Sequence, residues 1–179
     1  MCLIRNVSAD RMMETANRME KKEYSFSFEV YNSVDALRKD DAQLLREAQK
    51  ISEHAYAPYS RFRVGAVAVL SNGQKLTGTN QENASFPVGI CAERVLLSAA
   101  SSVFPGIPIE TIAISYRDDH NSSDHPISPC GICRQSLVEY EIRMKKPIRL
   151  VLGGLEGKVY IIPEANALLP LAFTNEELK

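Results

Sequence analysis

The sequence predicts an α/β sandwich of mixed strand direction, three layers (α/β/α) around a five-stranded sheet. Three observations predict it. Apolar residues switch along the chain between a period of two and a period of 3.6, so strands and helices interleave. The turn Ser71-Asn72-Gly73 separates two apolar runs, a strong hairpin signal. The helix-period segments stop before Pro58 and at Pro105, residues that cannot continue a helix.

In chain order, residues 1–23 are polar and mixed in charge, a helical or loosely attached stretch. "YSFSFEV" places Tyr24, Phe26, Phe28 and Val30 on one face, which suggests a short half-buried strand. It belongs to an N-terminal extension, residues 1–39, packed on a core domain of residues 40–179. Leu44, Leu45, Ala48, Ile51 and Ala55 then follow the helical rhythm. "FRVGAVAVL" and "KLTGTN" flank the hairpin turn, and "CAERVLLSAASSVF" reads as a helix. "TIAISYR" is a buried strand. The polar loop "DDHNSSDHP" leads to Cys130, where a second helix opens and runs through "RQSLVEYEIRM". "IRLVLGG" and "KVYIIP" complete the sheet, and "PLAFTNEEL" is a short tail. "GGLEG" lies between two strands with no helix after it, so it is a hairpin turn and not a phosphate loop.

A chain of 179 residues that is 45% hydrophobic buries one good core, and two would be crowded. Its 21 basic and 22 acidic residues nearly cancel and form no basic stripe, which disfavours nucleic acid as a partner. No stretch approaches the roughly 18 apolar residues of a membrane helix. The N-terminus shows no secretory pattern, so a cytoplasmic protein is expected. There, the four cysteines point to metal binding or catalysis more than to disulfides.

"SPCGICRQ" holds Cys130 and Cys133 in a C-x-x-C frame. That frame serves a redox disulfide, half of a structural zinc clamp, or part of a catalytic metal site. Both sulfurs sit where a loop hands over to a helix, and the helix dipole there favours thiolates, the form that binds zinc. Cys91 also opens a predicted helix, whereas Cys2 lies near the chain end. Three thiolates from two helix N-termini leave a fourth position open, the mark of catalytic zinc. Glu93, two residues after Cys91, sets a carboxylate beside that position without being a ligand. The redox reading explains neither Cys91 nor Glu93, and a structural site would need Cys2 or a histidine to complete it. His120 and His125 read as part of a solvated loop with Asp118, Asp119 and Asp124, and His54 as a surface residue.

With C-A-E-R and P-C-G-x-C-R-Q in order, the chain resembles the cytidine deaminase family, in its free-nucleoside branch. "APYSRFRVGA", "TNQENASFPVGICAER" and "LLPLAFTNEEL" extend the likeness over residues 40–179. This zinc deaminase chemistry, with a non-ligand Glu as proton carrier, is a described class. The resemblance implies that Cys91, Cys130 and Cys133 hold Zn²⁺. Glu93 would carry protons from the attacking water to the cytosine ring and the departing ammonia. The backbone N–H groups of Ala92 and Glu93 would meet the base edge. Phe62 would stack on the pyrimidine, and Asn80 and Glu82 would bind the ribose 3′-hydroxyl.

Three thiolates over-neutralise Zn²⁺, so Arg94 and Arg134, if they donate to sulfur, would restore its acidity. Phe173 would close the pocket of a neighbouring subunit within a homotetramer. The expected reaction is hydrolytic deamination of cytidine and 2′-deoxycytidine. A deaminase of a cytosine-containing antibiotic such as blasticidin S fits the "NQEN" block less well, and a non-catalytic zinc-stabilised nucleoside-binding module has no need of Glu93. Many relatives carry Tyr where Phe86 stands, so the resemblance implies no hydroxyl contact from there to the nucleoside 5′ end.

Overall fold

The structure is a computed structural model that describes residues 19–178. The reading of residues 1–18 as part of a helical or loose stretch, and Cys2, lie outside the described residues. Six strands form one sheet: β1 (Glu29–Tyr31), β2 (Phe62–Leu70), β3 (Lys75–Thr79), β4 (Ile109–Asp118), β5 (Arg149–Gly153) and β6 (Val159–Ile162). The α-helices among the described residues are α1 (Lys39–Ile51), α2 (Ala92–Val103) and α3 (Gly131–Met144). The sheet order is β1-β6-β5-β4-β2-β3. β4 and β5 run parallel, joined through α3, and every other neighbouring pair is antiparallel.

The pleat explains the layers. In β2, β4 and β5 alternate residues point to opposite faces. Val67, Ala113 and Val151 pack with Leu44, Leu45 and Ala48 of α1. Ala66, Ala68, Ile112, Ile114, Leu150 and Leu152 pack against α2 and α3 through Leu96, Ala100 and Leu137. The expected three-layer sandwich is therefore present, and both predicted hairpins form. Gly73 takes a φ of 80° in the β2–β3 turn, a left-handed conformation that glycine adopts without steric cost.

The expected five strands are six. The end of "YSFSFEV" adds β1 at the sheet edge by pairing with β6. Only Glu29–Tyr31 join the ladder, and the alternating Tyr24, Phe26, Phe28 and Val30 are exposed instead of half-buried. The reason is position: the aromatic side chains pack on one another and on Tyr160, with Phe28 and Tyr160 ring centres 5.0 Å apart, and no helix among the described residues covers them.

Two glycines set how closely the helices approach. A Cβ on Gly65 would strike the Ala48 carbonyl of α1, and one on Gly78 would strike the Ala92 carbonyl at the start of α2. Near the start of α1, buried Asp41 accepts two bonds from Arg149 at the head of β5, at 2.6 and 2.8 Å, and one from Arg38. Burial alone would raise the Asp41 carboxyl, but these guanidinium groups outweigh it and hold the group below the usual carboxylate range.

Candidate active site

Cys91 is the N-cap of α2, Cys130 is the N-cap of α3, and Cys133 lies in the first turn of α3. The two helices pack on the same face of the sheet, so their starts converge. The Cys91 and Cys130 sulfurs are 3.8 Å apart, those of Cys130 and Cys133 3.4 Å, and all three lie within 4.8 Å of one another. Tetrahedral zinc with bonds of about 2.3 Å spaces its sulfurs at about 3.8 Å. The cluster is able to hold such an ion, and all-sulfur donors suit zinc. Cys133 is buried, Cys91 half-buried and Cys130 exposed, so the cluster is open on one side.

The protonation pattern of the thiols fits a cation site. The Cys91 thiol is drawn down to about 6, chiefly by its hydrogen bond with Cys133, while the same contact and burial push Cys133 up. Neighbouring thiols favour one thiolate by hydrogen bonding to it, whereas a divalent ion would stabilise all three together. Glu93 stands on the first turn of α2 and is only 5% exposed. Burial pushes its carboxyl up, against the opposing pull of its own backbone N–H and the Cys133 thiol. Ala92 is fully buried beside it, and the N–H groups of a first helical turn have no i−4 carbonyl to bond.

The remaining expected residues surround this centre in different ways. Phe62 stacks on Tyr116 with ring centres 5.0 Å apart and 21° between planes, so one of its faces is already covered. Asn80 accepts from the Val64 N–H at 2.7 Å and donates to the Phe62 carbonyl at 2.9 Å, fixing the start of β2. Each of these amide groups keeps one further bonding valence. Glu82 accepts from the N–H groups of Tyr59 (2.9 Å) and Ser60 (3.3 Å). Hydrogen bonding from Ser60 foremost holds it below the usual carboxylate range. Phe173 is 59% exposed in the tail.

Arg134 donates from Nε to the Pro129 carbonyl at 2.8 Å and from Nη1 to the Leu168 carbonyl at 3.0 Å, so these donors go to backbone oxygen and not to sulfur. Arg94 lines a groove between α2 and α3 with Ser98, Ser101 and Arg143, and its charge favours the Cys91 thiolate from there. Among the described residues neither arginine makes a hydrogen bond to sulfur. Asp118, Asp124 and His120 bond within the 118–125 loop, Asp119 accepts from Arg63 of β2 at 2.7 Å, and His125 also meets the Tyr116 hydroxyl.

Sequence reasoning passed over a cleft of about 470 Å³ beside Glu82, lined also by Tyr59, Ser60, Asn83, Phe86 and Gly89. Tyr59 and Phe86 meet edge to face there, with ring centres 6.0 Å apart. The "APYS" segment was a visible signal, but only folding brings it against "NQEN". The sequence model of the cytidine and deoxycytidylate deaminase zinc-binding region matches residues 38–146. The chain belongs to this deaminase family. Among its relatives is a cytidine deaminase of Halalkalibacterium halodurans, 37% identical over 139 residues, which are 78% of this chain and 98% of that protein.

Solved structures of cytidine deaminases resemble it as well. The one from Burkholderia pseudomallei has a TM-score of 0.64 at 38% identity, over 73% of this chain and 97% of that one. The one from Mycobacterium tuberculosis has a TM-score of 0.59 at 30% identity, over 76% and 99%. The match to the family's zinc-binding region spans all three clustered cysteines. No helix among the described residues is long and apolar enough to cross a membrane.

Proposed function

We propose that the chain catalyses hydrolytic deamination of cytidine and 2′-deoxycytidine, giving uridine or 2′-deoxyuridine and ammonia, in pyrimidine salvage. The observation that carries this reading is the buried Glu93 carboxyl one turn from a cluster of three thiols. Cys91, Cys130 and Cys133 are the residues that would hold Zn²⁺, and that ion supplies the Lewis acidity that makes water nucleophilic near neutral pH. Glu93 takes a proton from the attacking water and passes it to N3 of the base as the new C4–O bond forms. It then assists protonation of the amino group, the C4–N bond breaks and ammonia leaves. Burial suits Glu93 to both roles, since it raises the carboxyl and so strengthens its hold on the proton that it takes and passes on.

The Ala92 and Glu93 N–H groups face the base edge in this reading, and the free side of Phe62 stacks on the ring. Asn80 and Glu82 hold the ribose 3′-hydroxyl through their remaining valences. Of the six residues lining the cleft beside Glu82 none is a cation, which supports a free nucleoside over a 5′-phosphate. Arg94 and Arg134 contribute positive charge near the thiolates without touching sulfur. Exposure of Phe173 supports a homotetramer in which that ring closes a neighbour's pocket.

The test is ammonia release from cytidine, 2′-deoxycytidine, their 5′-monophosphates, cytosine and blasticidin S, with Glu93→Gln alongside. Nucleosides should react best, and Glu93→Gln should keep its metal and lose about 10²-fold or more in turnover. Turnover of Glu93→Gln within threefold of the native chain would place the proton transfers elsewhere.

A further inference from the structure

We infer that Gln135 is a positioning residue for the Phe173 tail, and that with Arg134 it registers this tail against the helix that bears two of the clustered cysteines. α3 carries Cys130 at its cap and Cys133 in its first turn, and Arg134 and Gln135 follow directly. Arg134 spans from the Pro129 carbonyl, next to Cys130, to the Leu168 carbonyl in the segment after β6. Two turns further along α3, buried Glu141 accepts from the N–H groups of Ala165 and Asn166, both at 3.1 Å. One helix therefore fastens the chain after β6 at successive points.

Up to Leu168 this segment is also held by burial, since Ala165 and Leu168 belong to the core. Beyond Leu168 burial gives out: Leu171 is fully exposed, with a left-handed φ of 56°, and Phe173 projects from the surface. Among the described residues, the one hydrogen bond from the body of the fold to the backbone beyond Leu169 is Gln135 Nε2 to the Phe173 carbonyl, at 2.7 Å. The other bonds of the tail are local, Thr174 with Glu176 and Glu177. A polar tether two residues from Cys133 thus sets the course of an otherwise unburied strap. Displacement of the α3 start moves the sulfurs and the Phe173 backbone together.

The consequence for turnover rests on the deaminase reading; the tether itself does not. In Gln135→Met the side chain keeps its length and loses its donor. The expected result is native zinc content, hydrogen–deuterium exchange several-fold faster over residues 170–176, and a KM for cytidine raised about two- to tenfold with kcat changed less. Gln135→Lys, which restores a donor, should recover slow exchange and KM. Tail exchange in Gln135→Met equal to that of the native chain would overturn the inference. So would loosening of α3 with loss of zinc, because Gln135 would then be a structural residue of the helix. Faster tail exchange without cytidine turnover in any of these proteins, the native chain included, would leave the tether standing and remove the deaminase reading.

Discussion

Adding one methyl group at Gly78 and, separately, at Gly65 should separate the cost of packing from the cost of chemistry. Both glycines are buried in the sheet, and each allows a helix to approach on a different side. In Gly78→Ala the new Cβ would lie 2.8 Å from the Leu96 N and 2.9 Å from its Cβ, besides striking the Ala92 carbonyl. Restoring 3.4 Å at the Leu96 N alone pushes α2 back by about 0.6 Å, the closer Ala92 carbonyl demands more, and overpacking of this kind costs about 1–3 kcal/mol. In Gly65→Ala the contacts are of the same severity, 2.6 Å to the Ser52 N and 2.7 Å to an Ile51 methyl, but they push α1 on the opposite face.

The two variants should therefore lose similar stability in urea titration. Only Gly78→Ala displaces the turn that carries Cys91 and Glu93, and a misplacement of about 1 Å costs on the order of 10²-fold in rate. Its kcat/KM for cytidine, corrected for the folded fraction, should fall about ten- to a hundredfold, while Gly65→Ala stays near the native value. Equal losses in the two folded variants would refute the view that the Gly78 contact positions the site.

The remaining predictions concern the metal, the ion pair and assembly. Zinc should bind at one per chain and be lost in Cys91→Ala, Cys130→Ala and Cys133→Ala but kept in Cys2→Ala; metal analysis of the purified variants decides this. Asp41→Ala strands Arg149 at the head of β5 and should cost about 3 kcal/mol by chemical denaturation. Because the Asp41 carboxyl is held low in the fold, its stabilisation is full above its unfolded value near 4 and fades as pH falls below that. Asp41→Asn should flatten that acid limb of the stability curve. Mixing Phe173→Ala chains with Glu93→Gln chains should restore deaminase activity in hybrids; none after verified subunit exchange would place Phe173 in its own pocket.

The parts of the fold legible in the sequence are those written in local pattern. The starts of α2 and α3 were readable because Cys91 and Cys130 precede apolar helical runs, and both hairpin turns were readable from Gly73 and the glycines of "GGLEG". Alternation in "YSFSFEV" revealed extended chain but not which side would be covered. That depends on where the helices end, so the aromatic face proved exposed and the sheet gained an edge strand. The partners of Arg134 were illegible for a related reason. Its acceptor at Leu168 is 34 residues away, and a backbone carbonyl carries no sequence signal. Asn80 and Glu82 stood out as polar residues in a turn, yet only the folded chain shows that both also brace neighbouring backbone.

The spacing of the three cysteines along the chain also bears on folding. Cys91 and Cys130 are 39 residues apart, with all of α2 and β4 between them. A cation gripped by all three sulfurs therefore acts as a removable cross-link across a loop of that size. Closing a loop of about 40 residues in the unfolded chain removes entropy equivalent to about 4 kcal/mol in the simplest polymer treatment. Residues 91–133 should accordingly unfold and refold as a knotless ring while the ion stays bound, and as an open chain once a chelator removes it.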